Sequence, residues 1–435
     1  MLEHLLELLF SLPGRIGGNF RQTFKSLSDR NFRVYNLGMF LSNVGTWMQG
    51  VALSWLVYRL TGSAAALGLI SFASNIPLLL LTFLGGVVAD RFDKRKILFI
   101  TQILAMVQAV VLTLLVAFNM ATIPILIGMA VFLGIVTAFD VPARQSLVPL
   151  MVKDPNDMPN AIGLSSATFH VSRMIGPALG GLLIASFGET ICFGLNAVSF
   201  IAALVGLSRI SVPNSKPVDK RKTKGSDKAT GKAQDSETIL QTIKRPEVFT
   251  LLFLAAFVST FGMQYSILMP VIVDKLLHGQ SAQFGMLSAC AGLGALIGAL
   301  TIAATGTRPG LRKRVGQATF VLAFALCVLA FSKIMALSVV AIIFCGTCLS
   351  THWSGGNSLM QKCVDPAARG RMMGVYTTFT LGLAPLTALI SGWTAEHYGV
   401  TVALMVSATG MLVGSVSWAV AQAAKAPVIV VRPRH

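Results

Sequence analysis

The chain has 435 residues, 54% of them hydrophobic and 12% charged, with a formal net charge of +18. Soluble domains are about 45–50% apolar and about 25% charged, so this balance excludes an ordinary soluble enzyme and fits a polytopic membrane protein. A cationic surplus can also mark nucleic-acid binding, but the placement of the cations along the chain argues against it.

In chain order, residues 1–33 form a tail in which Leu2, Leu5, Leu6, Leu9 and Phe10 share one helical face, as in a helix lying along the inner leaflet. It lacks the charged n-region and small-residue cleavage site of a signal peptide. A helix needs about 20 apolar residues to cross a bilayer. By that ruler a first bundle, 34–211, has spans near 34–59, 64–89, 97–118, 122–148, 162–187 and 189–211. Residues 212–245 are rich in Lys, Ser, Thr, Gly and Asp and read as a flexible cytoplasmic linker. A second bundle, 246–422, has spans near 248–274, 282–306, 315–332, 336–361, 371–395 and 401–422, and 423–435 is a tail. The expected fold is all-α, with twelve transmembrane helices in two pseudo-symmetric bundles.

With alternating spans, Arg59, Lys275 and Lys333 fall on one side, Arg144 and Arg173 lie within spans, and the remaining 30 of the 35 Lys and Arg residues share the side of the termini. That asymmetry places both termini in the cytoplasm and accounts for the net charge without nucleic acid. The bundles repeat one another: Asp154-Pro155 recurs as Asp365-Pro366, Gly163 as Gly374 and Gly188 as Gly399, each 211 residues on. Gln145-Ser146-Leu147 aligns with Asn357-Ser358-Leu359, and Met48-Gln49 with Met263-Gln264. A basic turn at 91–96 recurs between Arg308 and Arg314, so the repeats run parallel. Six cysteines fall in or beside apolar runs; Cys345-x-x-Cys348 reads as small apolar packing, with metal or redox chemistry the minor alternative.

The turn Gly86-Val-Val-Ala-Asp90-Arg91-Phe-Asp-Lys94-Arg95 resembles the loop between helices 2 and 3 of the major facilitator superfamily, G-x-x-x-D-R-x-G-[RK]-[RK], and departs from it at Asp93. Read alone, these charges could be topology signals. The resemblance implies alternating access in a bacterial inner membrane, with Asp90 latching onto the start of helix 11 around Met373 and Gly374 when the cytoplasmic side is closed. Asp140-Val-Pro-Ala-Arg144-Gln-Ser, Asn160-Ala, and Arg173-Met-Ile-Gly176-Pro177-Ala-Leu-Gly180-Gly181 look like the branch containing enterobactin-type siderophore exporters and macrolide efflux proteins. The last stretch is also similar to the helix 5 signature of antiporters.

Charges inside a bilayer are costly and mark function by default. Asp140 lies about 12 Å deep on helix 4 and Arg173 about 16 Å deep on helix 5, at about 1.5 Å per residue, so they can pair. Arg144, one turn from Asp140, competes for the same carboxylate. Two readings stay open for Asp140, Arg144 and Arg173: a static ion pair, or a proton-coupling group. Gly176, Pro177, Gly180 and Gly181 form a small face suited to close contact between the halves, with Gly294 and Gly298 of helix 8 opposite. Asn43 and Trp47 share one face of helix 1. With Gln264 and Tyr265 on helix 7 and His352, Trp353 and Asn357 on helix 10 they are the candidate substrate contacts, although each singly reads as interhelical packing.

No nucleotide-binding loop, catalytic triad or metal-ligand spacing stands in the sequence, so neither an enzyme nor a cofactor is expected. The resemblance implies a monomeric exporter that moves an amphiphilic small molecule, such as a siderophore or drug, in exchange for protons. A lipid or lysolipid transporter of the same fold is the alternative, and a non-transporting receptor or sensor is another.

Overall fold

The computed structural model describes residues 25–152, 154, 157–210, 239–305, 310–364 and 369–423. The tail face at 2–11, most of the linker, the end of the chain, Lys153, Arg308, and Pro155 and Asp365-Pro366 of the repeat lie outside the described residues. Six long helices form the first bundle: α1 (Arg30–Thr61), α2 (Ala64–Arg91), α3 (Lys94–Ala117), α4 (Ile123–Leu147), α5 (Met158–Phe187) and α6 (Glu189–Arg209). After a short helix at Ile239–Lys244, the second contains α7, which starts at Pro246–Phe257, α8 (Ser281–Thr305), α9 (Leu311–Phe331), α10 (Met335–Cys363), α11 and α12 (Val400–Ala423). Among the described residues, ten segments are long and apolar enough to cross a membrane. The other two, α1 and α5, have 32 and 30 residues and are more polar.

Local chemistry sets the helix ends. Asp29, Ser63 and Asp93 accept hydrogen bonds from the first free amides of α1, α2 and α3. Gly188 and Gly399, the repeat-related glycines, have φ of 78° and 88° and make the same turn from α5 into α6 and from α11 into α12. A side chain at either would be strained.

Two of the expected spans are interrupted along their length. α7 continues from Phe257 through a π turn (Val258–Gly262), short helices at Gln264–Ile267 and Met269–Val271, and a second π turn (Ile272–Leu276). Pro270 supplies no amide to this ladder, and each π turn inserts a residue and rotates the faces beyond it. α11 is divided into Arg369–Leu381 and Ala384–Tyr398, where Pro385 supplies no amide to the ladder.

Within the first bundle α1 packs on α5 and α6, α2 on α4, and α3 on α4 and α6; within the second, α10 packs on α8 and α9, and α9 on α12. The bundles meet through α5 with α8 and through α2 with the second piece of α11. Apolar residues gain little by leaving lipid for protein, so close contact through small residues holds such helices together. A Cβ on Gly181 would come within 2.5 Å of the Gly285 Cα, and one on Gly392 within 2.6 Å of the Ala64 carbonyl. Both contacts lie toward the side opposite the termini.

Candidate functional site

Asp140 is buried on α4 and fully hydrogen-bonded. Its Oδ1 accepts from Thr101 Oγ1 at 2.9 Å and Gln102 Nε2 at 2.8 Å, and its Oδ2 from Arg144 Nε at 3.1 Å and Nη2 at 2.6 Å. Arg144 also donates to Asn43 Oδ1 at 2.9 Å, and Ser42 donates to Gln102 Oε1 at 3.2 Å. Three helices, α1, α3 and α4, are thus tied together around one charge pair. The carboxylate thus meets four donors, two of them from one guanidinium.

Arg144 therefore takes the place offered to Arg173. Arg173 is half-buried midway along α5, with its guanidinium carbon 5.2 Å from the centre of the Trp47 ring. It has no ion pair or hydrogen bond among the described residues. The intervening reason is geometric: Arg144 sits one helical turn from Asp140 on the same helix, whereas Arg173 would have to cross from α5. Trp47 also packs edge-on against Phe169 with centroids 5.6 Å apart. The α1 face between them is open, since nothing lies within 4 Å of a Cβ built at Gly50.

The second-bundle candidates divide. Gln264 turns into its own bundle, donating to Thr260 O at 2.7 Å and accepting from Ser407 Oγ at 2.7 Å. Its repeat partner Gln49 likewise joins Asn196 at 2.8 Å and Gln108 at 3.0 Å. Asn196 and Ser407 are themselves 211 residues apart, so both glutamines are repeat-related interhelical ties. Tyr265 is 0% exposed and His352 2% exposed. The Tyr265 hydroxyl, both His352 ring nitrogens and the Trp353 indole nitrogen have no hydrogen-bond partner. Asn357 is exposed and accepts from Gln361 at 2.6 Å.

The small face of α5 also divides. Gly176 and Gly180 look inward at α1: a Cβ at Gly176 would meet Trp47 Cβ at 2.6 Å, and one at Gly180 would meet Met48 at 3.3 Å. Gly181 and the Pro177 carbonyl face Gly285 of α8, and the Arg173 carbonyl lies 2.6 Å from a Cβ at Gly292. Gly294 and Gly298, expected opposite α5, instead pack on Ile343 and Thr347 of α10. The helical rotation of α8 puts residues 285 and 292 on one face and 294 and 298 on another.

The two ends of the molecule differ. Opposite the termini, Tyr58 of α1 donates to Asp274 Oδ2 at 2.7 Å, and Glu396 of α11 accepts from the Ala64 and Ala65 amides at 2.7 and 3.4 Å. That places a carboxylate on the positive end of α2. Trp55 stacks on Phe284 at 5.8 Å. The halves are closed together there. On the terminal side Asp90 is exposed and has no partner among the described residues, and a Cβ at Gly86 or Gly374 would touch nothing. The first piece of α11 does not join the second in packing on α2. Arg95 donates to Leu207 O and Ser208 O, each at 2.7 Å, and stays within its own bundle. Beside this opening Lys25 pairs with Asp157 at 2.7 Å, which holds the ammonium above its usual pKa.

Thr101, Gln102, Gln108, Ser42 and Glu396 were not among the sequence candidates. Polar side chains inside apolar runs were the available signal for the α3 residues. A groove of about 1180 Å³ between α9, α10 and α12, lined by Phe320, Phe324, Phe344 and Trp418, lies on the outer face of the second bundle and shares no residue with these polar groups.

Residues 21–428 match the family described as transmembrane secretion effector. The chain is 26% identical to the staphyloferrin A transporter of Staphylococcus aureus over 83% of its length and 88% of the relative's. It is 25% identical to the enterobactin exporter EntS of Citrobacter koseri, over 83% and 84%. Among solved structures, a bacterial homologue of the human lysosomal transporter Spinster, in an inward-facing and occupied conformation, has a TM-score of 0.67 at 15% identity, over 90% of this chain and 96% of that one.

Proposed function

This chain belongs to the transmembrane secretion effector family, a group of major facilitator transporters, and from that premise we infer that it is a secondary active exporter of an amphiphilic small molecule, of the siderophore or drug kind, driven by protons across a bacterial inner membrane. One observation carries the reading. The two bundles close on each other at one end through Gly181–Gly285 and Gly68–Gly392, while Asp90 at the other end is unlatched. Taking the termini as cytoplasmic, on the placement of the cations, the open end faces the cytoplasm, where an exporter loads. Asp90 would engage the start of α11 only when that end closes, because an acid gains from a helix amino terminus over no more than the first turn.

Asp140 with Arg144 is the coupling candidate in this reading. In this reading a proton on the Asp140 carboxylate frees Arg144, which also reaches Asn43 on the same α1 face that carries Trp47. Proton binding and cavity shape are thereby linked through one guanidinium.

The test uses proteoliposomes with an imposed pH gradient. Staphyloferrin A, enterobactin and ethidium are added separately, and proton movement is followed with a pH-sensitive dye alongside uptake of each compound. Proton flux that appears only with one of these compounds, and uphill movement of that compound, is the expected result. Uphill movement that is indifferent to the pH gradient would remove the proton step, and no movement of any compound would remove the exporter reading.

A further inference from the structure

The other mid-span cation, Arg144, is answered by Asp140. At the helix ends Arg59 has Glu189 at 2.8 Å, Lys275 has Asp274 at 3.5 Å, and Arg312 has Glu247 at 2.7 Å. Among the described residues Arg173 has no ion pair. It lies half-buried at mid-span, with the Trp47 ring 5.2 Å from its guanidinium carbon. A cation at that depth is costly, and a cation–π contact recovers only part of what an anion would supply.

The unmet groups cluster on the other half. Tyr265 shares one buried cluster with Cys345 and Cys348 of α10, with Met48 beside Trp47, and with Ala291 beside the Gly292 that meets the Arg173 carbonyl. His352 follows Cys348 by one helical turn, and Trp353 adjoins it. Their hydroxyl, imidazole and indole nitrogens are buried without partners, although buried polar groups are nearly always hydrogen-bonded. One bundle thus offers a bare cation beside an aromatic surface, Trp47 with Phe169. The other offers a set of neutral donors and acceptors.

We propose that the transported molecule is an organic carboxylate, held at mid-membrane with its carboxylate on Arg173, its apolar body against Trp47 and Phe169, and its neutral polar groups on Tyr265 and His352. This rests on the exporter reading above and names the chemistry of its cargo. A single guanidinium matches a singly charged carboxylate; a phosphate monoester carries about −1.5 to −2 and would leave charge unanswered. The guanidinium fork suits a planar two-oxygen anion better than a spherical one. Because Arg173 belongs to one bundle and Tyr265 to the other, such a molecule would bridge the halves.

The test compares dansyl-leucine, which has a free carboxylate, with its methyl ester, of nearly the same size and without the charge. Binding to purified protein is read by dansyl fluorescence for the wild type, Arg173→Gln and Arg173→Lys. The wild type should prefer the acid by about tenfold or more, from one charge-assisted bidentate contact. Arg173→Gln should bind both forms alike at the ester's affinity, and Arg173→Lys should fall between. Equal binding of acid and ester by the wild type, a preference that survives Arg173→Gln, or no binding of the acid overturns the proposal. If Arg173→Gln does not fold, the wild-type comparison and Arg173→Lys still decide. Proteoliposomes that move the ester as well as the acid would sink the carboxylate assignment and leave the exporter standing. Protein that binds the acid in an Arg173-dependent way but moves nothing would do the reverse.

Discussion

The two bundles share a repeat but treat it in opposite ways. At the position 212 residues on from Asp140 stands His352, and on from Arg144 stands Gly356. The first bundle fills its position with a charge pair in which each Asp140 oxygen accepts two hydrogen bonds. The second leaves a buried imidazole with two unmet nitrogens and a glycine over which the Tyr376 hydroxyl lies. The helices follow the same division: α1 and α5 run unbroken, whereas their repeat partners α7 and α11 are interrupted, by π turns and at residues 382–383. A helix with a saturated polar tie resists bending; one with misplaced carbonyls and unmet donors has hinges and a use for a ligand. The contrast predicts a stiffer first bundle and a second that adapts.

The largest expected effect tests the rigid half. Asp140→Asn leaves the half-buried Arg144 guanidinium without its carboxylate and should cost up to about 3–5 kcal/mol, read as a lower melting temperature in detergent. Adding Arg144→Gln should restore much of it. A single variant that melts like the parent but loses uphill transport would make Asp140 a coupling group rather than an anchor.

Next is Gly181→Leu, which forces a side chain onto the Gly285 backbone and should open the end opposite the termini, at an overpacking cost of about 1–3 kcal/mol. Labelling of cysteines placed at the mouth between α5 and α8 should rise several-fold. Gly180→Leu presses on Met48 within one bundle and should lower stability without changing that labelling. Equal labelling in the two variants would break the distinction.

Gln49→Leu strands Asn196 and Gln108 and should cost about 1–3 kcal/mol, whereas Gln264→Leu strands Ser407, which keeps a bond to Ala403 O, and should cost about 0.5–1.5 kcal/mol. The reverse order in thermal unfolding would count against a stiffer first bundle. His352→Leu removes unmet nitrogens and breaks no recorded hydrogen bond, so stability should move by less than about 1 kcal/mol. A large loss there would reveal a partner for the imidazole.

Asp90→Ala is the smallest. With no partner in this arrangement it should leave the melting temperature unchanged, while weakening the closed terminal end by about 0.3–2 kcal/mol. Slower transport with unaltered ligand binding from that side is the expected pair of results.

Much of this was readable along the chain. The 211-residue spacing of Gly188 and Gly399 marked them as repeat-related, and the two share a positive-φ turn. Asp140 stood out because an acid in an apolar helix is rare. Its choice of Arg144 over Arg173 was half readable: the four-residue spacing offered Arg144, but only the packed helices show Arg173 turned to Trp47 instead. Thr101 and Gln102 were obscured for a related reason: adjacent polar residues point about 100° apart on a helix, and only the approach of α4 brings both onto one oxygen. Gly180 and Gly181 show the same limit at single-residue scale, one facing α1 and the other α8.

By itself the sequence determined that the chain crosses the membrane in two related bundles and where its charges gather. Those outcomes follow from the thickness of the bilayer and the cost of charge within it, both of which act locally. Tertiary structure decided which cation answers Asp140, which is left bare, which helices bend and which end is closed. Each of these depends on competition between partners on different helices, and that competition is settled only when the helices meet.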